Sequence, residues 1–294
     1  MFQEHPVEEI GAGQVADLLK TIAIPPCPSV LMALFSEARQ DEVDFIKISS
    51  LISGDVGLAA AMMKTANSPY FGLRQKVRSV QQATAVLGLK NILSVVSGLS
   101  LQKALTPPGF NMDRFWERSN LHAVTCSRLA RRLPAVAAED AYTYGLFHDC
   151  GIPLLMQRFP EYRQTLAQAN QSPRPLPEVE NQAHGTNHVV VGAMLGHNWQ
   201  LPESVVQAIQ FHHDPDVLDA KDGPWSPVVR LLVALSLLAD HQVAHFLGYP
   251  DEAEWLAHGV AALDYLGFDE EELDEIQQEV ADDLAEIRGY RGEN

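Results

Sequence analysis

From Pro28 to Asn67 the chain reads PSVLMALFSEARQDEVDFIKISSLISGDVGLAAAMMKTAN, and the spacing of its apolar residues decides the fold class. Val30, Leu31, Leu34, Phe35 and Ala38 recur at intervals of three and four behind Pro28, a residue suited to a first helical turn. Asp44 opens a second such run through Phe45, Ile46, Ile48, Leu51 and Ile52, which stops at Gly54. Asp55 then caps a third run through Leu58, Met62 and Met63 to Asn67. Further along, the spacing predicts short helices over Val80 to Leu87 and Asn91 to Leu105, parted by Gly88, with a turn at Ser68 to Gly72 before them. No segment carries the sustained alternation of a half-buried strand, so the chain reads as all-α.

Thr106-Pro107-Pro108-Gly109 marks the clearest boundary, dividing an N-terminal helical subdomain (1–108) from a larger helical bundle (109–294). Beyond it, helical runs are expected at about 111–133, 138–149, 160–170, 186–198, 202–212, 226–247 and 269–288. Ser172 to Pro177 reads as the main loop of this half. In the last, acidic helix Leu273, Ile276, Val280, Leu284 and Ile287 share a face, which predicts that it packs on the body.

The 294 residues are 46% hydrophobic and 20% charged, enough apolar material for a sizeable core. Lys and Arg total 21 against 38 Asp and Glu, a net charge of −17 that disfavours binding to nucleic-acid backbones or anionic lipid. The start MFQEHPVEEI has neither a basic lead nor an apolar core, and the apolar stretches are too short for a membrane span, so a cytoplasmic location is expected. Cys27, Cys126 and Cys150 stand far apart and fit buried thiols rather than a disulfide framework.

Histidine is distributed unevenly: His5 alone precedes Gly109, and the other ten follow it. His122, His148 beside Asp149, His188, the pair His212-His213, and Asp240 all sit among apolar residues of predicted helices. Burying such carboxylates is costly without a cation or donors, and imidazoles drawn together with carboxylates inside a bundle suit a divalent transition metal. Each residue taken alone has a duller explanation. A single core histidine commonly bonds a carbonyl, Asp149 could cap the following helix, and Asp240 could reach solvent at the end of its own. His184, His197, His241, His245 and His258 read as surface or packing residues.

The order His, His-Asp, His, His-His, Asp resembles the HD-domain superfamily. The segments Ile24 to Val30, Ile52 to Leu58, Ala66 to Gly72 and Ala85 to Gly88 further resemble the HDOD family, a bacterial signalling branch related to HD phosphohydrolases. This resemblance runs from about Ile22 to Asp214, and more loosely to Asp240. It implies a helical bundle holding one or two metals (iron, manganese, zinc or nickel). His122, His148, Asp149 and Asp240 would form one position, and Asp149 would bridge to a second made with His188, His212 and His213.

Two departures bear on catalysis. Relatives that cleave phosphodiesters often carry a lysine shortly after the His-Asp pair, where this chain has Ile152. Cyclic-dinucleotide hydrolases follow their His-His with a glutamate and a Gly-Tyr-Pro element, whereas Asp214-Pro215-Asp216 and Gly223-Pro224-Trp225 stand here. Arg118 and Arg158 are candidate replacements for the missing cation. The expectation is a regulatory module acting through signalling protein partners. A metal-dependent phosphohydrolase acting on a phosphorylated small molecule or nucleotide, with Asp149 as its central residue, is the competing reading, and a di-iron sensor a weaker third.

Overall fold

A computed structural model describes residues 20–292, apart from 39, 41, 68–72, 74, 108, 173, 215, 220–222 and 250–252. The expected turn at Ser68 to Gly72 and residue His5 therefore lie outside the described residues. No strand occurs among the described residues.

Three short helices open the chain: α1 (Ser29–Ala38), α2 (Phe45–Ser53) and α3 (Val56–Ala66). Two begin at the anticipated caps. Asp44 Oδ1 accepts from the N–H groups of Ile46 and Lys47, and Asp55 Oδ1 from those of Gly57 and Leu58. Each cap satisfies amide donors that the first helical turn leaves orphaned. Leu31, Leu34, Ile48, Ile52, Leu58 and Met62 turn inward onto α4 (Val80–Leu105). α4 breaks where Gly88 adopts φ 69° and ψ 165°, and its two halves bend by 107°. Asn67 closes the loop leading into α4: its amide oxygen accepts from Val77 N–H at 2.7 Å and its NH2 donates to Val77 C=O at 3.1 Å.

The larger half contains α5 (Asp113–Ala130), α6 (Ala138–Phe147), α7 (Gly151–Arg158), α8 (Tyr162–Ala169), α9 (Leu176–His184), α10 (His188–Asn198) and α11 (Glu203–Phe211). It continues through α12 (Asp216–Asp219), α13 (Pro227–Leu247), α14 (Ala253–Leu266) and α15 (Glu270–Gly292). Helices α5, α6, α11 and α13 surround one region, with α7 and α10 crossing beside it. α13 is long and apolar enough to cross a membrane, but 61% of that window is buried by its neighbours, as befits a central core helix. Ser226 caps it, Pro227 starts it, and Gly248 at φ 75° ends it.

One hydrophobic core runs through both halves, from Ile22 to Leu284. Trp199, fully buried, ties them further: its Nε1–H donates to the Pro25 carbonyl at 3.0 Å. As expected, α15 lies on the body through buried Ile276, Val280 and Leu284, and Arg132 pairs with its Glu279 at 3.0 Å.

Three expectations need correction. The Ser172 to Pro177 loop is shorter than read, because Leu176 and Pro177 already form the first turn of α9. Proline is tolerated there because a first-turn amide has no intrahelical partner. Helices α7, α9, α12 and α14 were not anticipated from periodicity. Of the three free thiols, Cys126 and Cys150 are buried as expected, but Cys27 is only half-buried.

Candidate metal centre

Five helices deliver the seven candidate residues to one place. His122 lies mid-way along α5, His148 and Asp149 follow the end of α6, and His188 opens α10. His212 and His213 follow α11, and Asp240 sits inside α13 rather than at its end. The close approach of α5 and α6 depends on Gly145, where a Cβ would meet Ala123 Cα at 2.9 Å and His122 Nδ1 at 3.0 Å.

Two groups of ligand-type atoms result, each within 4.8 Å: Asp149 with His188, His212 and His213, and His122 with His148 and Asp240. Asp149 spans them. Its Oδ2 is 3.1 Å from His148 Nε2, while Oδ1 is 3.4 Å from His188 Nε2 and 3.7 Å from His212 Nε2. The N-cap of α7 is Cys150, with no side-chain capping bond, and Asp149 meets that helix only through its carbonyl, which accepts from Ile152 N–H at 2.9 Å. Asp240 Oδ2 lies 3.6 Å from His122 Nε2. The rings crowd one another, with centroids 4.1 Å apart for His122 and His148 and 4.1 Å apart for His212 and His213.

Hydrogen bonds on the far side of four of the five rings fix which nitrogen faces inward; His122 is the exception, with Nδ1 3.2 Å from the Gly145 carbonyl and Nε2 3.2 Å from the Ser236 carbonyl. Nδ1–H of His148 donates to the Gly145 carbonyl at 2.7 Å, and that of His212 to the Ile209 carbonyl at 2.8 Å. For His188 and His213 the acceptors are the carboxylates of Glu180 (2.7 Å) and Glu254 (2.6 Å). Carbonyl and carboxylate oxygens accept, so in each of these rings Nδ1 holds a proton and Nε2 is the nitrogen turned to the interior. Nε2 of His188 and of His212 are buried and have no hydrogen-bond partner among the described residues.

The electrostatics follow from this crowding. Burial pushes His212 down, to about 3, with the neighbouring imidazoles adding to the effect. His213 stands at about 9, since Glu254 outweighs the desolvation that opposes its charge. Asp149 is held well below the usual carboxylate range, because the surrounding imidazoles overcome the penalty of burial. Burial also disfavours charge on His122, yet Cys126 and Asp240 hold it up, at about 10.

The two cations considered for catalysis part company. Arg118, one turn before His122 on α5 and 39% exposed, bonds Asp240 Oδ1 at 3.2 Å through its guanidinium. Arg158 instead bonds Thr21 Oγ1 and lies over the Phe159 ring. Ile152 is 8% exposed and belongs to the core. Of the histidines expected to pack, His184 is buried against Phe159 with its Nε2 2.8 Å from Thr165 Oγ1, and His241 stacks on Trp255. Sequence reasoning missed Glu180 and Glu254 altogether.

An all-helical bundle that gathers imidazoles and carboxylates from five helices in this order defines a protein of the HD-domain class. The chain belongs to the HDOD domain family, whose model matches residues 24–215, well over half of it. Asp240 and Glu254 lie beyond that segment. A protein of Treponema pallidum (strain Nichols) with no characterised role is 26% identical over 206 residues, covering 69% of this chain. The chain spans about two fifths of that relative's length, since the match covers 40% of it.

Solved structures agree on the fold. An HDOD domain protein of unknown function from Geobacter sulfurreducens superposes with a TM-score of 0.72 at 21% identity, covering 94% of this chain and 95% of that one. A Shewanella amazonensis SB2B protein, provisionally assigned as a phosphohydrolase, gives 0.69 at 23% identity over 94% and 95%. A Marinobacter aquaeolei VT8 protein, provisionally assigned to signal transduction, gives 0.74 at 25% identity, covering 95% of this chain and 64% of that one.

Proposed function

We propose that this chain is a cytoplasmic HDOD signalling module that holds one or two divalent transition metals and reports to a protein partner. Residues 1–108 would form the partner-facing subdomain and 109–294 the metal-holding bundle. The metal would be held by His122, His148, Asp149, His188, His212, His213 and Asp240. One observation carries this reading: His188 and His212 aim buried, unpartnered Nε2 atoms at Asp149. A buried nitrogen left unpaired costs about 1–3 kcal/mol, and a cation in front of it removes that cost. The donor set of imidazoles and carboxylates fits iron, manganese, zinc or nickel.

A regulatory role is favoured over hydrolysis by what surrounds the site. Buried Ile152 occupies the position where phosphodiester-cleaving relatives often carry lysine. Arg118 is committed to Asp240. The signal-transduction assignment of the Marinobacter relative points the same way.

The phosphohydrolase reading rests on the complete donor set and on the nearness of Arg118 to it. A bound divalent ion would supply charge to polarise a phosphoryl oxygen and to acidify a water. The chain's own part would be for Asp149 to align the two groups of donors and for Arg118 to face the anionic substrate. Turnover of phosphomonoesters, nucleotides and cyclic dinucleotides with Mn²⁺ or Fe²⁺ separates the two readings. The signalling module gives none above background; enzymatic turnover that disappears in His148→Ala establishes the hydrolase instead.

A further inference from the structure

Two carboxylates outside the ligand set stand behind the imidazoles of the Asp149 group. Glu180 on α9 is wholly buried, the most costly place for a carboxylate. Its Oε2 accepts from both the Nδ1–H and the backbone N–H of His188, at 2.7 and 3.0 Å, and its Oε1 accepts from the Tyr162 hydroxyl. Glu254 on α14, 28% exposed at its side chain, accepts from His213 Nδ1–H at 2.6 Å. Among the described residues no carboxylate outside the ligand set backs the His122 group in this way. There His148 and His122 turn Nδ1 to the same Gly145 carbonyl, at 2.7 and 3.2 Å, and Asp240 shares its charge with the Arg118 guanidinium.

This asymmetry has a direct physical consequence. A carboxylate drawing on Nδ1–H raises the electron density at Nε2, locks the ring's direction, and adds negative charge close to any cation held there. A guanidinium beside a ligand carboxylate opposes the same cation by direct repulsion. The unpartnered Nε2 atoms of His188 and His212 show that this pocket, rather than either carboxylate, is where a ligand is missing its counterpart.

We propose that Glu180 and Glu254 are positioning residues that make the pocket of Asp149, His188, His212 and His213 the tighter of two metal positions, with His122, His148 and Asp240 filling second. The inference rests on the metal-holding reading above and goes beyond it by ordering the two positions and naming residues behind the ligands.

Titration of the chelator-treated full chain with Co²⁺ tests it, following the visible cobalt bands and competition with a chelating dye. Wild type should load in two steps of unequal affinity. Glu180→Gln and Glu254→Gln should each weaken the first step about 10–100-fold and shift its bands, leaving the second step in place. Asp240→Asn should abolish the second step alone. A purely structural role for Glu180 would instead lower the metal-free melting temperature without moving the cobalt bands. The partly exposed Glu254 keeps the test open should Glu180→Gln fail to fold. Equal steps in wild type, unchanged first steps in both glutamate variants, or loss of the first step in Asp240→Asn would overturn the proposal while leaving the metal reading intact. Wild-type protein that takes up no cobalt would overturn both.

Discussion

His188, the first residue of α10, presents Nε2 to Oδ1 of Asp149 across 3.4 Å, joining α10 to the segment between α6 and α7. The approach is possible because α7 starts with glycine. A Cβ on Gly151 would meet the His188 carbonyl oxygen at 2.0 Å and its carbonyl carbon at 2.7 Å. Both are backbone atoms, so no side-chain rotation relieves the overlap.

Gly151→Ala should therefore cost about 3 kcal/mol or more, at the upper end of overpacking effects, and should push His188 away from Asp149. Urea denaturation measures the cost. Wild-type stability in this variant would show that α7 and α10 are not held as closely as described.

The sequence carried the fold and the seven ligand-type residues, though unevenly. Asp44 and Asp55 were readable as caps because a short carboxylate ahead of an apolar helical run has one dominant use. His148, His188 and the His212-His213 pair stood out because imidazoles among apolar residues are unusual and their order is distinctive. Glu180 and Glu254 were invisible for the opposite reason. Each sits in a polar stretch, PEVENQAH and EAEW, where a glutamate looks like any solvated helix residue until the chain folds. Arg118 was noticed but could not be aimed, since only the crossing of α5 and α13 sets it against Asp240. Helix α7 escaped notice because it is a single eight-residue segment, apolar through most of its length, with no second turn pattern to mark a face.

Metal uptake should depend on pH in a defined direction. With His213 held at about 9 by Glu254, the metal-free protein carries a proton there at neutral pH, and a metal taking that nitrogen must displace it. Affinity at the position made with His213 thus rises as pH increases toward 9 and levels off above it. Calorimetry in buffers of different ionisation enthalpy should record release of about one proton or more per metal bound at pH 7. Heats that are the same in every buffer would contradict this.

Removing the guanidinium beside Asp240 should make its pocket more attractive to a cation. Arg118→Met is expected to strengthen metal retention at His122, His148 and Asp240 roughly 3–10-fold, the effect of deleting one partly screened positive charge at this range. Dye-competition titration reads the change. Weaker retention would mean that Arg118 holds Asp240 in a ligating position instead of competing for it.

The central claim is that Asp149 links two sets of donors around metal. Elemental analysis of protein purified anaerobically without chelators, then reconstituted, tests it most directly when wild type is compared with Asp149→Ala. Wild type should retain close to one or two equivalents of a divalent transition metal, and the variant should lose most of it while keeping its helical circular dichroism. Substoichiometric metal in wild type, or equal metal in both proteins, would contradict the account.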